Sequence, residues 1–184
     1  MSARISPALP PFSTAIQKRL DAIMPPGAPP LVLFTTLARD QRLFERFMDG
    51  GLLDQGHLTL RQREVVIDRV TAQCGSEYEW GVHVAYFGSA AGFTPEQLRA
   101  FRYGASSDPC WSGEDRLLIR LCDCLAEASN IDDALWSDLE AAYSAEAIIE
   151  LILLAGFYRT VSYLANSLRL PLEEGSARFP ENEG

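Results

Sequence analysis

The stretch from Leu60 to Gly92 constrains this chain more than any other, because its signals place two helices back to back across a tight corner. Thr59 and Gln62 form a capping box, the hydroxyl and the amide each satisfying an orphan backbone donor. Val65, Val66, Ile67 and Val70 then give an apolar stripe, and Arg61, Arg63, Glu64, Asp68 and Arg69 between them break the alternation a strand needs. Gly75 suits a helix stop. Ser76 with Glu79 has the form of a second capping box, followed by Tyr78, Trp80, Val82, Val84, Ala85 and Phe87 up to the signal at Gly92. The pattern predicts an antiparallel helix pair over about 60–74 and 77–91, with the rest of the chain packed around it.

The pair brings together side chains with chemistry. His83 is the one histidine on a helical pattern, and Glu79, four residues earlier, shares its face. Tyr86 and Phe87 continue that face. A carboxylate beside an imidazole orients the ring and favours its protonated form, which suits a general acid or base. Glu64 on the preceding helix reaches the same space. A non-catalytic reading stands beside this one: Glu79 is also the N3 residue of its capping box. Glu64, Glu79 and His83 could then be a satisfied polar network that only fixes helix geometry.

The same residues resemble a known family. A Glu on one helix and C-x-x-C-x-x-x-H opening the next is the pattern of the carboxymuconolactone decarboxylase superfamily, which includes the alkylhydroperoxidase D-like (AhpD-like) proteins. His83 matches its final His, and Glu64 stands at the family's separation of 19 residues before it. The two Cys positions fall on Ser76 and Glu79, and Tyr78 falls where the peroxidase branch often has a second His. The segment EYEWGVH resembles the Y-E-W-x-x-H branch. The resemblance is most specific over Leu60 to Gly104 and holds in helix order from about Phe34 to Leu170. It implies an all-α, AhpD-like helical bundle and a homodimer or larger cyclic oligomer. It also implies lyase-type (decarboxylase-like) chemistry on a small organic molecule. His83, Glu64 and Glu79 would be the catalytic group, and Tyr78, Trp80 and Tyr86 would shape the substrate pocket. The related alkylhydroperoxidase or peroxiredoxin-type activity is disfavoured, because a disulfide-cycling reductase needs two thiols within bridging distance and Ser76 and Glu79 supply none.

Composition narrows the remaining classes. With 184 residues the chain suits one domain, 1–184, with a sizeable core. A net charge of −9 argues against a nucleic-acid or anionic-membrane surface. Two His residues leave little room for a His-rich metal centre, so neither metal nor cofactor is expected. Cys74, Cys110, Cys122 and Cys124 have no metal or redox spacing and read as buried free thiols of a reducing, cytoplasmic compartment. No signal-peptide pattern and no stretch long enough to span a bilayer is expected.

The flanks read as follows. Met1 to Pro11 is expected to be a mobile tail, Phe12 to Ile23 a short helix, and the prolines from Pro25 to Pro30 a crossing before a core of about 31–170. Leu31–Ala38 and Asp40–Gly50 read as two helices or one bent one. Thr94-Pro95 starts another helix, ending near Gly104. Ser112 or Gly113 starts the next, through Ala128. Asp132 caps a short helix to about Tyr143, and Ser144 caps a long apolar one from Ala145 to about Leu168. Its all-round apolarity predicts burial in the core or against a partner chain, and Tyr158, Tyr163 and Asn166 on it are candidates to line a cavity. The acidic segment 173–184 is expected to be loose.

Overall fold

The computed structural model describes residues 3–182. Its helices are α1 (Thr14–Ile23), α2 (Val32–Leu37), α3 (Gln41–Asp49), α4 (Leu60–Gln73), α5 (Glu77–His83), α6 (Pro95–Tyr103), α7 (Gly113–Ala128), α8 (Asp133–Ala142) and α9 (Ala145–Leu168). A π-helical turn, Val84–Gly88, continues α5. The chain is all-α, and no strand occurs among the described residues. The caps fall where their residue types require. Thr59 and Thr94 each close a full capping box with Gln62 and Gln97, and Ser112 does the same with Asp115. Gly75, at φ +62°, turns the chain out of α4 in the left-handed region that L side chains rarely adopt.

α4 is the axis of the molecule, with α5, α6, α7 and α9 packed around it. Every residue from Glu64 to Ala72 is buried. Val65, Val66 and Ile67 are fully enclosed, each worth about 1.5–3 kcal/mol of burial, and Ile67→Ala would cost about 2–5 kcal/mol. The apolar stripe is present, but α4 has neighbours on all sides, so Glu64, Asp68 and Arg69 are buried with it while Arg61 and Arg63 are half-buried. Arg69 pairs with Asp123 at 2.8 Å and donates to the carbonyls of Phe101 and Gly104, closing the end of α6. Arg61 grips Asp115 at the start of α7.

α9 has 24 residues and is long and apolar enough to cross a membrane by length and composition alone, so the expectation that no stretch reaches that length does not hold. Ile148, Leu151, Leu154, Tyr158 and Val161 on one side of it are buried against the rest of the protein. On the other side Ile149 and Leu153 are 58% and 57% exposed.

The described parts of both tails are docked, contrary to expectation; residues 1, 2, 183 and 184 lie outside the described residues. Arg4 and Ala8 donate backbone hydrogen bonds to Leu168 and Thr35. After α9, residues 171–182 run back over α5 and α6 as a strap. Ala177 N donates to Gly81 O at 3.0 Å, Phe179 N to Glu77 at 3.0 Å, and Tyr103 Oη to Pro180 O at 3.1 Å. The strap lies so close to α5 that a Cβ at Gly81 would collide with the Ala177 carbonyl oxygen. Acidic composition did not prevent docking, because Glu173 accepts from Tyr78 Oη and from Val32 N and thereby ties the strap to two helices.

Candidate active site

α4 and α5 run antiparallel from the Gly75 corner, which sets Glu64 opposite His83. His83 Nδ1 lies 2.7 Å from Glu64 Oε2, and Nε2 lies 3.4 Å from Glu79 Oε1. All three are enclosed, at 0%, 3% and 6% exposure for Glu64, His83 and Glu79. Arg63 Nε donates to Glu64 Oε1 at 3.0 Å, so both Glu64 oxygens are engaged. Arg63 also donates to Leu53 O at 3.1 Å and lies over the Phe87 ring. The Tyr158 ring meets His83 edge-on, with centroids 4.9 Å apart.

Burial by itself would push the imidazole down. The hydrogen bonds and charges of Glu64 and Glu79 outweigh it and hold the His83 pKa up at about 10. At neutral pH the ring is therefore an imidazolium, donating Nδ1–H to Glu64 and directing Nε2–H at Glu79.

Glu79 and His83 face a cavity of about 560 Å³, well within the range of small-molecule sites. Its wall is mostly apolar, with Leu33, Phe47, Met48, Phe87, Phe157 and Val161 among its side chains. Ile23, Asp49, Asp54 and Tyr86 are exposed at its rim. The loop after α3 crosses one side with Leu52 at φ +47°, a strained conformation for a leucine. The π-helical turn, a device frequent at functional sites, follows His83 directly and contributes Tyr86 and Phe87 to the wall.

Several expected roles fall elsewhere. Ser76 makes no capping hydrogen bond, and its hydroxyl is buried without a partner, so the second capping box does not form. Glu79 turns to His83 instead, which removes capping as the explanation for that residue. Tyr78 and Trp80 do not line the cavity. They sit on the strap side of α5, where Tyr78 bonds Glu173 and Trp80 packs on Phe179 with centroids 5.1 Å apart. The helical period separates them from His83, and the strap, expected to be loose, covers them. Tyr86 and Tyr158 do line the cavity. Tyr163 is exposed, and Asn166 donates to Cys74 O. Of the four cysteines, all free, Cys122 is buried and the other three are half-buried.

Asp68 was missed as a site residue. It lies one turn beyond Glu64 on α4, fully buried, and neither of its oxygens has a hydrogen-bond partner. Desolvation raises its pKa well above the ordinary value; the charge of His83 opposes this, and those of Glu64 and Glu79 add to it. The available signal was the i, i+4 spacing of Glu64 and Asp68, which puts two carboxyls on one helix face. Among the described residues no group of three or more His, Cys, Asp or Glu side chains is arranged to hold a metal ion.

Comparison with known proteins places this geometry in context. The carboxymuconolactone decarboxylase family matches residues 41–119, which contain Glu64, Glu79 and His83. A search of curated protein sequences finds no match. Among solved structures, a peroxidase-related protein from Silicibacter sp. TM1040 is similar over 98% of this chain and 99% of its own, at 16% identity and a TM-score of 0.78. A peroxidase-related protein from Ralstonia eutropha JMP134, described as an alkylhydroperoxidase AhpD core, is similar over 94% and 95%, at 18% identity and a TM-score of 0.79. The debrominase Bmp8 is similar over 95% of each chain, at 12% identity and a TM-score of 0.71. At these identities the likeness is one of fold.

Proposed function

We propose that this chain, which matches the carboxymuconolactone decarboxylase family over residues 41–119 and has the AhpD-like fold, is an enzyme performing acid–base chemistry on a small organic molecule, with His83 and Glu79 as the acid and the base. One observation carries this reading: the two groups stand together on the wall of a ligand-sized cavity, while Glu64 behind them locks the ring. A network serving only to fix helix geometry has no need to face such a space.

In this mechanism Glu79 accepts a proton from a bound substrate. The His83 imidazolium delivers one from Nε2 to the substrate oxygen or carbon that gains negative charge. A single transfer across the 3.4 Å gap from Glu79 to Nε2 restores the starting state. Glu64 never touches substrate. It positions the ring, keeps it charged and is itself held by Arg63. A thiol-dependent peroxidase cycle has no counterpart here, because Ser76 and Glu79 occupy the positions of the two thiols.

The test is proton exchange. The protein is incubated in D2O with a panel of enolisable ketones, lactones and β-keto acids, and deuterium incorporation or decarboxylation is followed by NMR. Exchange should be lost by about 100-fold or more in His83→Gln and in Glu79→Gln, the usual scale for removing an acid or base. Wild-type activity unchanged by both substitutions, or no exchange with any compound, overturns the proposal.

A further inference from the structure

The cavity has a charge balance that selects its ligand. Glu79 and His83 are the only charged side chains on its inner wall among the described residues; Arg19, Asp49 and Asp54 lie at the exposed rim. Each cation within reach is already committed. His83 directs one ring nitrogen at Glu64 and the other at Glu79. Arg63 is held by Glu64 and by the Leu53 carbonyl, and Arg19 is paired with Asp49. The carboxylates face cations in turn: both Glu64 oxygens are held, by Arg63 and His83, while Glu79 has Oε1 near His83 and keeps Oε2 buried without a hydrogen-bond partner, an acceptor a ligand hydroxyl can use. Arg63, Glu64, Glu79 and His83 sum to zero, the buried carboxyl of Asp68 adds no cation, and the rim carries one carboxylate, Asp54, in excess of its cation. A ligand carboxylate would therefore enter an apolar chamber whose cations are already balanced, with only the His83 Nε2–H to meet it, and burying a charge without a compensating one is strongly unfavourable. A ligand cation would find the Glu79 charge already balanced by His83.

We infer that the site takes uncharged, largely apolar molecules and rejects carboxylates of the same shape, so the substrate class is a neutral carbonyl or hydroxyl compound and not an organic acid. This inference rests on the cavity being the substrate site of the proposed enzyme, and it names the class of molecule that enters. It also predicts that a charged product leaves the chamber readily, for the reason that a charged substrate does not enter.

Binding of three probes of one skeleton to the full chain at pH 7 tests this directly by calorimetry: 2-naphthol, 2-naphthoate and 2-naphthylmethylammonium. 2-Naphthol should bind at least about 100-fold more tightly than either charged probe. Met48→Trp, which fills the cavity from its wall, should abolish 2-naphthol binding. Naphthoate or the ammonium binding as well as naphthol overturns the inference, as does failure of naphthol to bind at millimolar concentration. Binding that survives in a folded Met48→Trp variant overturns it too. If that variant does not fold, the wild-type series decides alone. The two proposals fail separately. Selective naphthol binding without proton exchange sinks the acid–base reading and keeps this one, and exchange on carboxylate substrates does the reverse.

Discussion

Glu64 and His83 are 19 residues apart in the chain and 2.7 Å apart in space, and neither has appreciable contact with solvent. Their hydrogen bond closes the α4–α5 pair at the end away from the Gly75 corner. It also fixes which ring nitrogen is left for the cavity.

Removing the Glu64 carboxylate should therefore be costly. Glu64→Leu strands a buried imidazolium and the Arg63 guanidinium together, and loss of one partner of a buried pair costs about 3–5 kcal/mol. Glu64→Gln keeps an acceptor for Nδ1–H and should cost less. Urea unfolding measures both. Equal stability of Glu64→Leu and the wild type would mean the pair contributes nothing to the fold.

Stability should fall on the alkaline side. An unfolded histidine titrates near its ordinary value of 6.5, whereas folded His83 titrates at about 10. Between those values the folded protein keeps a proton that the unfolded chain has released. The stabilisation is full below pH 6.5 and is lost as pH rises through about 10, with a slope of up to about 1.4 kcal/mol per pH unit. His83→Gln should flatten that part of the profile, measured as unfolding midpoints from pH 6 to 10. A variant with the wild-type slope would assign the proton to another group.

Asp68 should be a liability. Desolvation raises its pKa well above the ordinary 3.8, so as pH rises past that value the unfolded chain releases the proton before the folded state does. Its contribution is full below pH 3.8 and declines as pH rises. Asp68→Asn, with similar shape and no titration, should gain on the wild type with increasing pH, by up to about 1.4 kcal/mol per unit. Comparing midpoints at pH 5 and pH 8 checks the sign. An advantage for the wild type that grows with pH would show that Asp68 is ionised and paired in solution.

Assembly should involve α9. Ile149 and Leu153, one turn apart and more than half exposed, offer an apolar strip that a second copy of this chain would cover. Ile149→Glu with Leu153→Glu should convert a homo-oligomer to monomers, read by light scattering. A wild-type monomer at micromolar concentration would remove the basis for the expectation.

Sequence alone determined the helices and the candidate acid–base group. Caps at Thr59, Thr94, Ser112, Asp132 and Ser144 are local hydrogen-bonding decisions, made within three or four residues, and each helix begins where its cap stands. The spacing of Glu64, Glu79 and His83 is equally local once two helices and a corner are given. Only the tertiary structure decided what surrounds them. Whether Asp68 points to solvent or to the core depends on how many helices pack around α4, and a charged residue within one helix does not encode that. Whether Tyr78 and Trp80 face ligand or protein depends on the strap, whose contacts with α5 cross about a hundred residues of chain. The cavity itself is a space left between α1, α2, α3, α5 and α9. Such a space has no residues of its own, so no pattern in the sequence could spell it out.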